Sequence, residues 1–130
     1  MSLSVPAHLL EDARRGRVLD HDFVECVRAS LPYAYATVAR LAARLAGSDR
    51  SFVDNQEAPP DETACGELLR AMSSDAIRGA LERHFNVVLA FQTCHRVAVF
   101  PPRARTSPEY RDFTSVESQL LNQRAGLVNC

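Results

Sequence analysis

Residues 74–100 read SDAIRGALERHFNVVLAFQTCHRVAVF, and this stretch decides the fold. Its first half carries Ile77, Leu81 and Phe85 at helical spacing, behind a Ser73–Ser74–Asp75 start that suits a helix cap. Asn86 then fits a C-terminal turn. Its second half holds two β-branched and aromatic runs, Val87–Phe91 and Val97–Phe100, of strand length. The five residues Gln92, Thr93, Cys94, His95 and Arg96 between them form a polar knot, sized for a hairpin loop or bulged turn. One segment thus predicts a helix running into an antiparallel hairpin. It also holds the densest group of polar side chains beside apolar strands.

Working outward, the rest of the chain reads as helices. Residues 5–15 suit a first helix, with Pro6 in the first turn and Gly16 at the end. Asp20 suits the N-cap of a second helix whose apolar side is Phe23, Val24 and Val27. Pro32 breaks that helix and opens a third, which runs to Ala46 with Tyr35, Val38, Leu41, Ala42 and Leu45 in one stripe. Residues 47–60 collect Gly, Ser, Asp, Asn and Pro and read as a loop, with Phe52 and Val53 folding back onto the body. Within it, Asp54, Asn55 and Gln56 suit either turn chemistry or a ligand-binding loop. Pro59–Pro60 and Asp61–Glu62 open a fourth helix carrying Leu68, Leu69 and Met72. After Pro101–Pro102, Ser107 opens a short helical turn with Tyr110 and Phe113. Ser115 caps a last helix with Val116, Leu120 and Leu121 on its apolar side. The expected fold is α+β and helix-rich: about five to six helices with one small antiparallel β-hairpin packed on them. A hairpin alone is marginal, so it must lie on the helical layer or be completed by a second subunit, and a homodimer is expected.

Composition narrows the chemistry. A chain of 130 residues is one domain, long enough to bury about two thirds of its unfolded surface. Hydrophobic content of 46% and charged content of 24% are those of a soluble globular protein. A net charge of −1 argues against nucleic acid or an anionic membrane as a bulk electrostatic partner. No apolar run reaches the roughly 18–20 residues of a membrane span, and the N-terminus lacks the pattern of a signal peptide, so a cytoplasmic protein is expected. All fifteen basic residues are arginine. Schiff-base lysine chemistry and a P-loop lysine are therefore excluded, and anion recognition falls to guanidinium groups. Cys26, Cys65, Cys94 and Cys130 form no paired spacing; Cys26 and Cys65 read as small buried hydrophobes. Cys94 and His95 are sequence neighbours, which on a strand point to opposite faces and make a poor catalytic pair. His84, Cys94, His95 and Cys130 lack metal-ligand spacing, so neither metal nor cofactor is expected.

The candidate site is the knot with the end of the preceding helix. Arg78, Arg83, Gln92, His95 and Arg96 are hydrogen-bond donors suited to holding an oxyanion or a peptide. His84 stands at a helix end, where interaction with terminal carbonyls is the simpler reading. We take His95 and Arg83 as candidate catalytic groups, and Asn55, Arg78, His84, Gln92 and Arg96 as candidate substrate-binding groups.

The segments FVDNQEAPP, GELLRAMSSDAIRGALERHFNVVLAFQTCHRVAVF and FTSVESQLLNQ, with the terminal Asn129–Cys130, resemble a family of small actinobacterial proteins over residues 20–130. Residues 1–19 form an N-terminal extension outside the match. That family in turn resembles the LanN-type lysinoalanine synthases of cinnamycin and duramycin biosynthesis. The resemblance implies a helix-rich dimer with a peptide groove and no cofactor. It also implies substrate-assisted addition of a peptide lysine to a dehydroalanine in a lanthipeptide. A non-catalytic binding or regulatory module with the same peptide groove is the alternative.

Overall fold

The computed structural model describes residues 2–92 and 96–122. Among them are seven α-helices, one 3₁₀ turn and three strands. The helices are α1 (Ala7–Arg14), α2 (Asp20–Ser30), α3 (Pro32–Ala46), α4 (Glu62–Ser73), α5 (Asp75–Phe85), α6 (Pro108–Phe113) and α7 (Val116–Leu121). The strands are β1 (Val53–Asp54), β2 (Val88–Gln92) and β3 (Arg96–Phe100). The expected helix-rich α+β fold is present.

Local chemistry accounts for most element ends. Asp61, Ser74, Ser107 and Ser115 each accept a backbone N–H of the helix they open. This satisfies one of the donors that every helix N-terminus leaves unpaired. Asn86 ends α5 in the left-handed region (φ 55°), and the Val87 N–H closes back on the Glu82 carbonyl. Asp20 departs from the expected cap. It is the first residue of α2, and the N-cap is Leu19, which makes no side-chain cap bond.

The sheet has the order β1-β3-β2, all antiparallel. The hairpin register pairs Val88 with Phe100, Ala90 with Ala98 and Gln92 with Arg96. Gln92 and Arg96, expected in the loop, are therefore strand residues that face each other across the ladder. The third strand was not expected: Val53 and Asp54, read as loop, pair with Val99 and Ala98. Two residues are too few for a periodic pattern to register. Asn55 extends the pairing. Its N–H donates to the Val97 carbonyl, and its side-chain oxygen accepts the Val97 N–H at 2.7 Å.

Both faces of the sheet are buried. Val53, Leu89, Val97 and Val99 join Val27, Leu31, Val38, Leu41, Leu68, Ile77 and Leu81 in the main core beneath α2–α5. Val88, Ala90, Ala98 and Phe100 join Ala104 and Phe113 in a smaller core beneath α6. The strands therefore read as near-continuous apolar runs instead of alternating. Phe100 anchors the smaller core, with its ring against those of Phe52, Tyr110 and Phe113.

Helix α3 touches α2, α4, α5, β1 and β3 and is the hub of the main core. Its own start offers no cap: Leu31 is the N-cap residue, and Pro32 has no N–H. The next two donors are met from across the core. Glu67 of α4 accepts the Tyr33 N–H at 2.8 Å and the Ala34 N–H at 3.4 Å. The residue is only 6% exposed, so this carboxylate is a buried anion at a helix N-terminus, where the dipole favours it. Glu67→Ala is expected to cost about 1–3 kcal/mol, because it leaves buried donors unpaired. Glu67→Gln, which keeps an acceptor oxygen, should recover part of this loss. Urea unfolding checks both; an Ala variant with the native midpoint would refute the cap.

Candidate functional site

The seven sequence candidates do not converge on one place. Gln92 and Arg96 meet on the α6 side of the sheet, at its hairpin end. The Arg96 guanidinium donates from Nε and Nη2 to one Asp54 oxygen at 2.8 and 2.6 Å, and from Nη1 to the Gln92 side-chain oxygen at 2.9 Å. Its carbon lies 5.1 Å from the centre of the Phe113 ring. The Gln92 NH₂ donates to the Phe113 carbonyl and to the Ser118 hydroxyl, and its oxygen also accepts from Asn122. Asp54, Arg96 and Gln92 thus tie the three strands together, and Gln92 carries the tie on to α6 and α7. Among the described residues, no buried side-chain polar atom lacks a partner.

The other candidates lie elsewhere. Arg83 makes a two-pronged pair with Asp20 of α2, at 2.6 and 3.0 Å. The His84 ring packs against Phe85 and Tyr35 on the helical layer. Asn55 belongs to the β1 edge of the sheet, as described above. His95, with Thr93 and Cys94, lies outside the described residues, as do Asn129 and Cys130. Of the two candidate catalytic groups, Arg83 is thus held by an ion pair on the α2–α5 face, away from Gln92 and Arg96.

Arg78 leads to a different place. It donates to the Met72 carbonyl and to Asp75, both at 2.6 Å, and closes the turn between α4 and α5. It also lines a groove of about 390 Å³ along β2, whose other walls are Met72, Leu89, Ala90, Phe91, Arg105, Tyr110 and Thr114. One wall comes from the α4–α5 layer, the other from the 3₁₀ turn Ala104–Thr106 and α6, and the floor is the strand itself. β2 is an outer strand of the sheet, and no further strand pairs with it among the described residues.

The ladder fixes which backbone groups face the groove. On β3, Val97 turns its N–H and carbonyl towards Asn55, so the alternate residues Arg96, Ala98 and Phe100 bond β2 through Gln92, Ala90 and Val88. Leu89 and Phe91 therefore present their backbone groups to the open side. The Leu89 N–H is taken by Glu82 at 2.9 Å, and the same carboxylate oxygen accepts from Arg105 at 2.8 Å. Of this outward-facing row, Leu89 is only 3% exposed and Phe91 is half-buried, so Phe91 is the accessible part. Sequence reasoning missed Glu82, Arg105 and Tyr110; Glu82 lies 23 and 28 positions before the other two and meets them only through the tertiary fold. The one legible signal was the lack of turn or charge punctuation along VVLAF.

Among the described residues, no group of three or more His, Cys, Asp or Glu side chains could hold a metal ion. No helix there is long and apolar enough to cross a membrane.

The Asp20–Arg83 pair has a measurable consequence. The hydrogen bond from Arg83, aided by its charge, lowers the Asp20 pKa below the ordinary carboxylate value, against a smaller opposing effect of desolvation. A lowered folded-state pKa stabilises at pH above the unfolded value, and the effect is lost as pH falls through the folded one. In Arg83→Gln, the Asp20 titration followed by NMR should move up towards the ordinary value. An unmoved titration would break the assignment.

No curated protein and no solved structure matches the chain. A family profile described as NucS shadow ORF matches residues 1–130, the full length of the sequence, and the protein is a member of that family.

Proposed function

We propose that this protein is a non-catalytic binding module that takes an extended peptide segment in the groove along β2. The observation that carries the reading is the groove itself: an outer strand lies at the floor of a 390 Å³ cleft with backbone groups facing into it. An added strand gains main-chain hydrogen bonds from such an edge, and side-chain pockets select its sequence. The Phe91 N–H and carbonyl supply the bonds here. Met72, Leu89, Phe91 and Tyr110 supply apolar walls. Edge strands are usually blocked by charge or cover, and here Glu82 takes the Leu89 N–H. Among the described candidates, Arg83, Gln92 and Arg96 are engaged in the ties described above, which favours binding over catalysis.

The test is selection of displayed peptides against the pure protein, followed by mapping of the bound peptide through amide chemical shifts. The expected result is perturbation centred on Leu89, Ala90, Phe91 and Tyr110. Failure to select any binder, or binding mapped to another face, overturns the proposal.

The family description calls this reading frame a shadow of NucS, so production of the chain is a question in its own right. Four side-chain helix caps and the satisfied Asp54–Arg96–Gln92 tie support a sequence that encodes a folded product. A tryptic digest of the source cells should contain SFVDNQEAPPDETACGELLR, the peptide from Ser51 to Arg70. Its absence at a depth that detects equally scarce proteins would argue that the chain is not made.

A further inference from the structure

Helix α7 faces the opposite way from a helix held by a core. None of its residues is buried, and Val116, Leu120 and Leu121 are 72%, 68% and 84% exposed. A surface helix normally turns its apolar stripe inward, whereas here the polar side is the docked one. The tie is the side chain of Gln92, at the end of β2. Its NH₂ donates to the Ser118 hydroxyl at 2.8 Å, and its oxygen accepts from the Asn122 side chain. Ser118 and Asn122 are half-buried, so water competes for both bonds.

Gln92 does not depend on α7 for its partners. Its NH₂ also donates to the Phe113 carbonyl, and its oxygen also accepts from Arg96 at 2.9 Å. Loss of α7 therefore leaves neither half of this buried amide orphaned. The two usual costs of undocking a helix, exposed hydrocarbon and unpaired polar groups, are both small. A helix of 6 residues does not persist alone in water, where even about 12–15 residues are marginal. Undocking and unwinding are thus one event.

We infer that α7 is a releasable strap: it folds as Ser118 and Asn122 engage Gln92, and it undocks and unwinds as a unit while the rest of the fold stays intact. Docked, it covers the Gln92 amide. Released, it opens that amide, beside the Arg96 guanidinium, to solvent. The device does not rest on peptide binding in the β2 groove, so either reading can fail alone.

Native-state hydrogen exchange, followed by NMR on the full chain, tests the strap. The Gln119 and Asn122 amides bond the Ser115 and Ser118 carbonyls and report on α7. The Val97 amide bonds the Asn55 side chain and reports on the sheet. The α7 amides are expected to exchange through an opening at least about a hundredfold more frequent than that of Val97. Their exchange should be nearly independent of low denaturant, because the opening exposes little surface. Ser118→Ala removes one tie and keeps a strong helix former, so it should speed α7 exchange about fivefold and leave Val97 unchanged. Leu121→Ala, on the outward face, should change neither. Circular dichroism confirms that each variant is folded. A common rate and denaturant dependence for α7 and Val97 would mean that α7 opens only with the whole domain, and would overturn the strap. So would an equal acceleration by Leu121→Ala, since apolar packing would then hold the helix.

Discussion

The fold depends on a buried carboxylate. Helix α3 packs against α2, α4, α5, β1 and β3, and its first turn begins at a proline that follows an apolar residue. No residue of its own turn satisfies the amides of Tyr33 and Ala34, and Ala34 is buried. Glu67 reaches them from α4, so the hydrogen bond that starts α3 is also the one that sets α4 against it. Moving α4 by one helical position would carry Glu67 about 100° around its axis and leave a charge buried without donors. The α3–α4 register is thus set by polar matching as well as by side-chain volume. The main core of α2–α5 and the inner face of the sheet assemble on that pair.

The second constraint is the sheet, which is too small to cover itself. Three strands expose two apolar faces, and the chain covers one with four helices and the other with little more than α6 and Phe52. The cover stops short at β2. There the two layers stand apart, and β2 lies at the base of the gap. The groove is a product of this uneven cover and needs no dedicated element to build it. Glu82 shapes one end of it. Its carbonyl receives Val87 and its carboxylate receives Leu89, so the same residue turns the chain from α5 into β2.

What was legible in the sequence was local. Ser74, Asp61, Ser115 and Asn86 announced helix ends through short-range chemistry, and Pro32 marked the α2–α3 break. The apolar runs VVLAF and VAVF announced strands. What was not legible depended on partners distant in sequence. Asp20 looks like a cap, but its carboxylate finds Arg83 sixty-three positions away. Gln92 and Arg96 look like loop residues because they are polar, yet the hairpin ladder extends through them, and Asp54, 42 positions from Arg96, makes that possible. Glu67 looks like a surface glutamate in an amphipathic helix. The groove was illegible for the same reason: Arg78 and Arg105 come from segments that only the sheet brings together.

Helix α7 is held in an unusual way. Ser118 and Asn122 face inward to the Gln92 amide, while Val116, Leu120 and Leu121 are 72%, 68% and 84% exposed. A docking contact made of hydrogen bonds, with almost no apolar area behind it, has a distinct thermal signature. Its release exposes little hydrocarbon to water and so adds little to the heat capacity of unfolding. Detachment of α7 should therefore vary gently with temperature, while the cores beneath α3 and Phe100 melt with the steep curvature of a hydrophobic transition. Helix α7 is, thermodynamically, a latch of a different kind from the body it closes.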